Sequence, residues 1–157
     1  MSSRSYEELK IGDTATFTKT ISETDVYMFA GITGDLNPAH INEEWAKGTI
    51  FERRIVHGML VCGLISTVLG TSLPGNGTIY VSQEFKFLAP VYLGDTVTAK
   101  VEVLEKLEKK RIVLRTVCVN QDGKEVVTGK AVVSPPRKPA VGTQSTHGTA
   151  HLQSTPA

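Results

Sequence analysis

The sequence has no apolar run long enough to span a bilayer, no apolar N-terminal segment, no excess of either charge and only two cysteines. A membrane-spanning helix needs roughly 18 or more consecutive apolar residues. None is present, and Met1-Ser2-Ser3-Arg4-Ser5-Tyr6-Glu7 has none of the apolar character of a secretory signal. Seventeen Lys and Arg face 16 Asp and Glu. That balance argues against a general nucleic-acid or anionic-membrane surface, both of which show as basic excess. A small basic site for a phosphorylated ligand is still compatible with it. Cys62 and Cys118 sit inside apolar runs without metal-type spacing, which reads as two buried reduced thiols. These absences together describe a soluble cytoplasmic protein without internal repeats. At 157 residues it has room for one domain with a substantial core.

The first strand is expected over Thr14 to Thr20. Ser22-Glu23-Thr24-Asp25 then has the form of a helix start, a capping hydroxyl with an acid three positions on. Val26, Phe29 and Ala30 follow at helical spacing, and Gly31 and Gly34 are expected to end the helix. From Thr33 to about Arg54 the pattern is irregular around Pro38, with a short helix near Glu43 to Lys47. Residues 57 to 70 are apolar on nearly every face, the pattern of a helix buried all round. Pro74-Gly75-Asn76-Gly77 stops it. Four further strands are expected. In the first, Ile79, Val81, Phe85 and Phe87 share one face. In the second, Val97, Ala99, Val101 and Val103 alternate with polar residues, the period of a half-buried antiparallel strand. Lys109-Lys110 turns the chain into a strand near Ile112 to Asn120, and Gln121-Asp122-Gly123 makes a hairpin into Glu125 to Val133. The domain is expected to end at residue 136. Residues 137–157, poor in bulky apolar side chains, read as a disordered tail, with His147 and His151 as solvated residues rather than metal ligands. One strand, a helix, a polar loop, a buried helix and a meander imply a curved antiparallel sheet folded over that buried helix.

Three features carry chemistry. Asp35-Leu36-Asn37-Pro38-Ala39-His40 puts a carboxylate, an amide and an imidazole within six residues. Pro38 pushes Asn37 toward an extended conformation, and an Asp and a His sharing one water make a proton-transfer pair near neutral pH. The same hexapeptide is also ordinary turn chemistry. His57-Gly58-Met59 opens the apolar helix, where free N–H groups and the positive dipole end can receive a carbonyl oxygen. Close packing of helix on sheet explains Gly58 equally well. Ser66, two turns further on, either bonds the carbonyl one turn back or orients Asp35 or His40. His57 reads as a structural histidine tied to backbone.

Gly34-Asp35-Leu36-Asn37-Pro38-Ala39-His40, followed by Phe51-Glu52-Arg53-Arg54-Ile55-Val56-His57-Gly58-Met59, resembles the MaoC-like (R)-specific enoyl-CoA hydratases. The likeness continues through Leu73-Pro74-Gly75-Asn76-Gly77 and Phe85-Lys86-Phe87-Leu88-Ala89-Pro90-Val91 and covers roughly residues 5 to 136. It implies an α+β hot-dog fold, a homodimer whose two sheets join and which can assemble further, and acyl-CoA entering near the subunit interface. It implies Asp35 and His40 as the catalytic pair, Asn37 as a polar residue near the substrate, Gly58 as the oxyanion-hole amide and Ser66 as support for the pair. The implied reaction adds water to a trans-2-enoyl-CoA and gives the (R)-3-hydroxyacyl-CoA without metal or other cofactor. Leu69, about one turn beyond Ser66, is a candidate limit on acyl chain length. Lys86, Arg53 and Arg54 are candidates for the CoA phosphates. The rival expectations are an acyl-CoA thioesterase and a non-catalytic acyl-CoA-binding module.

Overall fold

A computed structural model describes residues 3–137; the expected tail, with His147 and His151, lies almost wholly outside the described residues. The elements are β1 (Thr14–Thr20), α1 (Glu23–Thr33), α2 (Pro38–Ile41), α3 (Glu43–Lys47), α4 (Gly58–Thr71), β2 (Ile79–Phe87), β3 (Thr96–Leu107), β4 (Arg111–Val119) and β5 (Glu125–Ser134). The five strands form one antiparallel sheet in the order β1-β3-β4-β5-β2, with α4 packed on one face. This is the hot-dog arrangement implied by the resemblance.

The period of two in β3 is realised residue by residue. Val97, Ala99, Val101 and Val103 are all fully buried, facing α4 together with Ile112, Leu114, Val126 and Val133. From the helix, Val61, Ile65, Val68 and Leu69 fill the same core. Burying each such Val, Leu or Ile contributes about 1.5–3 kcal/mol, so this seam dominates stability. Lys109 and Lys110, both at positive φ (57° and 55°), form the turn between β3 and β4.

Three expectations are corrected. The apolar helix is not covered all round: Met59, Gly63, Ser66 and Gly70 form an exposed stripe along α4. Small residues and one Met had blurred this open face in the apolar pattern. Gly31 lies inside α1, and Gly34 alone ends it, in the left-handed conformation at φ 78°. In β2 a bulge between Tyr80 and Ser82 breaks the alternation. Of Ile79, Val81, Phe85 and Phe87, only Phe85 packs against the core; the others stay exposed because β2 is an edge strand.

Gly129 in β5 is the tightest point of the β2–β5 pairing. A Cβ there would fall on the Glu84 backbone carbonyl of β2, an atom that cannot swing aside. Gly129→Ala is therefore expected to cost about 2–3 kcal/mol, the upper range for overpacking. Urea denaturation measures this as a lowered midpoint.

Candidate active site

The segment between α1 and α4 overhangs the helix N-terminus, and its local chemistry explains its shape. Ser22 and Asp25 form a reciprocal capping box on α1. Asn37 adopts φ −53° and ψ 127°, as a residue before proline should. The chain then does not stay irregular: Pro38 occupies the first turn of α2, where its missing N–H costs nothing. The Asn37 side-chain oxygen accepts the Ala39 N–H at 3.0 Å. Asn37 thus caps the turn that presents His40, and it is not among the residues lining the cavity described below.

Arg54 ties the overhang together. It lies against Glu23 of α1, bonds Glu43 of α3 at 3.3 Å and donates to the Tyr27 hydroxyl at 3.0 Å. With its side chain only 15 % exposed, Arg54 is committed to these partners and drops out as a phosphate ligand. Arg53 stacks its guanidinium over the Tyr92 ring, 3.7 Å from the centroid, and Lys86 is exposed on β2.

Under the overhang lies a cavity of about 530 Å³. Asp35, His40, His57 and Gly58 form its polar end, with Phe51, Val61, Phe87, Pro90 and Val127 among its apolar walls. A carboxylate oxygen of Asp35 and ring nitrogens of His40 and His57 all lie within 4.8 Å of one another. A single water bonded to two such groups at about 2.8 Å each would bridge that separation. Met59 adds to the lining, whereas Ser66 and Leu69 do not.

The tautomers follow from the partners. His40 Nδ1 lies 2.8 Å from the Ile55 carbonyl, and a carbonyl only accepts, so Nδ1 carries the proton and Nε2 keeps a lone pair. His57 Nε2 lies 3.0 Å from the Asp35 carbonyl, so there Nε2–H donates and Nδ1 is the acceptor. That Nδ1 is buried without a partner among the described residues, at a cost of about 1–3 kcal/mol. The two rings stack with centroids 3.8 Å apart and planes 33° apart.

Burial pushes the His40 pKa below the ordinary value of 6.5; neighbouring His57 adds to this, while the Ile55 carbonyl and Asp35 oppose it. His40 is then neutral at pH 7, with a free Nε2. On acidification the unfolded chain binds this proton before the folded one does. Folding stability therefore falls as pH drops through about 6.5 toward the depressed folded value. The same group predicts an acid limb of kcat/KM below pH 6.5, read from a pH–rate profile.

At the other wall, Gly58 opens α4. The first amides bonded back are those of Leu60 and Val61, which reach the His57 carbonyl at 3.1 and 3.3 Å. The Gly58 and Met59 N–H groups precede them and are free of the helix ladder. A Cβ on Gly58 would come within 2.6 Å of Phe87 Cε1, so a methyl there would force the Phe87 ring or the start of α4 to shift.

Ser66 is exposed on the open stripe of α4. It stands about 12 Å along the helix from Gly58, at about 1.5 Å per residue. Leu69 is 1 % exposed and belongs to the core. His57 is tied to backbone, as its sequence reading has it, through the Asp35 carbonyl; its packing on the His40 ring and Phe87 as a wall over Gly58 were not read from the sequence. The only signals were the position of His57 before Gly58 and the run Phe85 to Val91.

A family model described as MaoC like domain matches residues 8–125. The chain belongs to the MaoC-like domain family. Within it, the chain is 53 % identical over 134 residues to an (R)-specific enoyl-CoA hydratase of Rhodospirillum rubrum, covering 85 % of this chain and 92 % of that one. It is 48 % identical over 134 residues to a 3-hydroxybutyryl-CoA dehydratase of Methylorubrum extorquens, covering 85 % of each. Among solved structures, an (R)-hydratase from A. caviae involved in PHA biosynthesis superposes with a TM-score of 0.80 at 44 % identity, covering 83 % of this chain and 99 % of that one. The MaoC-like assignment agrees with the motif order seen in the sequence.

Proposed function

We propose that this protein is a hydro-lyase that adds water reversibly to trans-2-enoyl-CoA, forming (R)-3-hydroxyacyl-CoA. Relatives at 44–53 % identity that bear hydratase and dehydratase names support the reaction. The observation that carries the reading is the facing of Asp35 and the free Nε2 of His40 across a cavity from the unpaired amides of α4.

In this reading the thioester oxygen accepts the Gly58 N–H, and the acyl chain runs into the apolar part of the cavity. Asp35 and His40 hold one water over C3. As its oxygen bonds to C3, the pair takes one water proton, and electron density moves through C2 onto the thioester oxygen. A proton then reaches C2 from the same face, so one H2O is added in total. The lone pair on His40 Nε2 suits it to the first proton uptake. No metal or redox cofactor is needed, because the thioester itself stabilises the developing enolate. Arg53, with its guanidinium carbon 3.7 Å from the Tyr92 ring centroid, is the preferred partner for a CoA phosphate.

We further propose a homodimer joined along β2. Its outer edge is unpaired among the described residues, and Ile79, Val81, Phe87 and Leu88 are exposed there, with Met59 on the neighbouring helix stripe. Unpaired apolar edges of this kind are normally covered. The reading that keeps a role for Ser66 places it at that interface. Val81→Lys is expected to shift the protein toward monomer in size-exclusion chromatography.

The reaction is tested with crotonyl-CoA by following absorbance of the conjugated thioester and free thiol in parallel. Hydration removes the conjugation without releasing thiol. Hydrolysis also consumes the conjugated thioester but releases one free thiol for each one lost, which identifies a thioesterase, and no change in either identifies a binding module.

A further inference from the structure

His57 is 1 % exposed, yet it touches every polar part of the cavity. Its Nε2–H donates to the Asp35 carbonyl at 3.0 Å. Its ring packs on His40 at 3.8 Å and on Phe29 of α1 at 4.9 Å. Its own carbonyl accepts the first helical N–H bonds of α4, so its backbone sets where the Gly58 amide points. A phenylalanine would fill the same space without burying an unpaired nitrogen. The orphaned Nδ1 is a cost accepted to keep a ring that donates from Nε2.

We propose that His57 is a positioning residue for the hydration reaction, fixing the Asp35 loop, the His40 ring and the Gly58 amide relative to one another. The inference rests on the Asp35/His40 reading. A carboxylate loop freed from the His57 N–H shifts relative to the α4 amides, and displacements near 1 Å cost about 100-fold in rate. Substrate binding through the rest of the CoA is left intact. The titratable groups acting on His40 are His57 and Asp35, and removing the His57 ring relieves part of what holds its pKa down.

Two variants separate the contacts. His57→Phe keeps a ring against His40 and Phe29 and removes the donor. His57→Gln places an amide N–H near the position of Nε2 and removes the ring. Each is assayed with crotonyl-CoA, with activity normalised to folded protein by circular dichroism. Asp35→Asn is the control. For His57→Phe we expect kcat to fall about 100-fold with KM changed less than about threefold. For His57→Gln we expect less than about tenfold loss of kcat, and an acid limb of kcat/KM moved to higher pH. Wild-type kcat in His57→Phe overturns the proposal, as does His57→Gln that is no better than His57→Phe. If His57→Phe does not fold, an unmoved acid limb in His57→Gln overturns it. An active Asp35→Asn instead overturns the Asp35/His40 reading, which keeps the two failures distinct.

Discussion

Asp35→Asn and His40→Ala are each expected to lower kcat for enoyl-CoA hydration by about 10²–10⁴-fold, the usual contribution of a positioned acid or base. Both proteins are expected to fold. Asp35 is exposed, and among the described residues its side chain accepts only a long bond, 3.3 Å, from the Asn37 N–H. The local turn also has the Asn37 cap and the His57 bond to the Asp35 carbonyl, which Asn at 35 preserves. His40→Ala removes a buried ring that was stacked and bonded to Ile55, so some stability is lost as well. Thermal unfolding separates that loss from the catalytic one. The double variant should be little worse than either single, because two residues holding one water act as a unit.

Gly58→Ala is the second large effect. The added methyl meets Phe87 Cε1 at 2.6 Å, so either the ring rotates away or the start of α4 is displaced. Either change disturbs the amide proposed to receive the thioester oxygen. Losing one such donor costs about 10²–10³-fold in kcat, and a decrease in kcat of about 10²-fold is expected here. Phe87→Leu combined with Gly58→Ala should recover part of it, since the shorter side chain leaves room for the methyl. Steady-state kinetics of the single and double variants check both statements. If Gly58→Ala leaves kcat unchanged, the amide has no part in the chemistry.

The sequence and the structure agree where a local pattern decides the outcome. The alternation of Val97, Ala99, Val101 and Val103, the Ser22/Asp25 capping box and the short helix Glu43–Lys47 were all readable from neighbours within a few positions. Disagreement comes where partners are distant in sequence. Arg54 looked like a free cation because Glu23 and Glu43 reach it only after the overhang folds. Ile79 and Val81 looked like core because alternation does not show that β2 is an edge. Ser66 looked buried because small residues on one stripe of α4 hide its open face. Within the site, Asp35 and His40 came from the motif together with the resemblance. The part of His57 depends on a bond across 22 positions of sequence, which no local pattern encodes. Leu69 lies in the core outside the cavity, and its part in chain-length selection is a proposal that Leu69→Ala tests through relative rates on short and longer enoyl-CoAs.

The most direct test of the central claim is to hydrate crotonyl-CoA in D2O and to determine the configuration of the product at C3 and the face of deuteration at C2. The expected product is (R)-3-hydroxybutyryl-CoA carrying one deuterium at C2, added from the same face as the hydroxyl, and formed about 10²–10⁴-fold more slowly in Asp35→Asn. An (S) product, addition from opposite faces, or undiminished turnover in Asp35→Asn would contradict it.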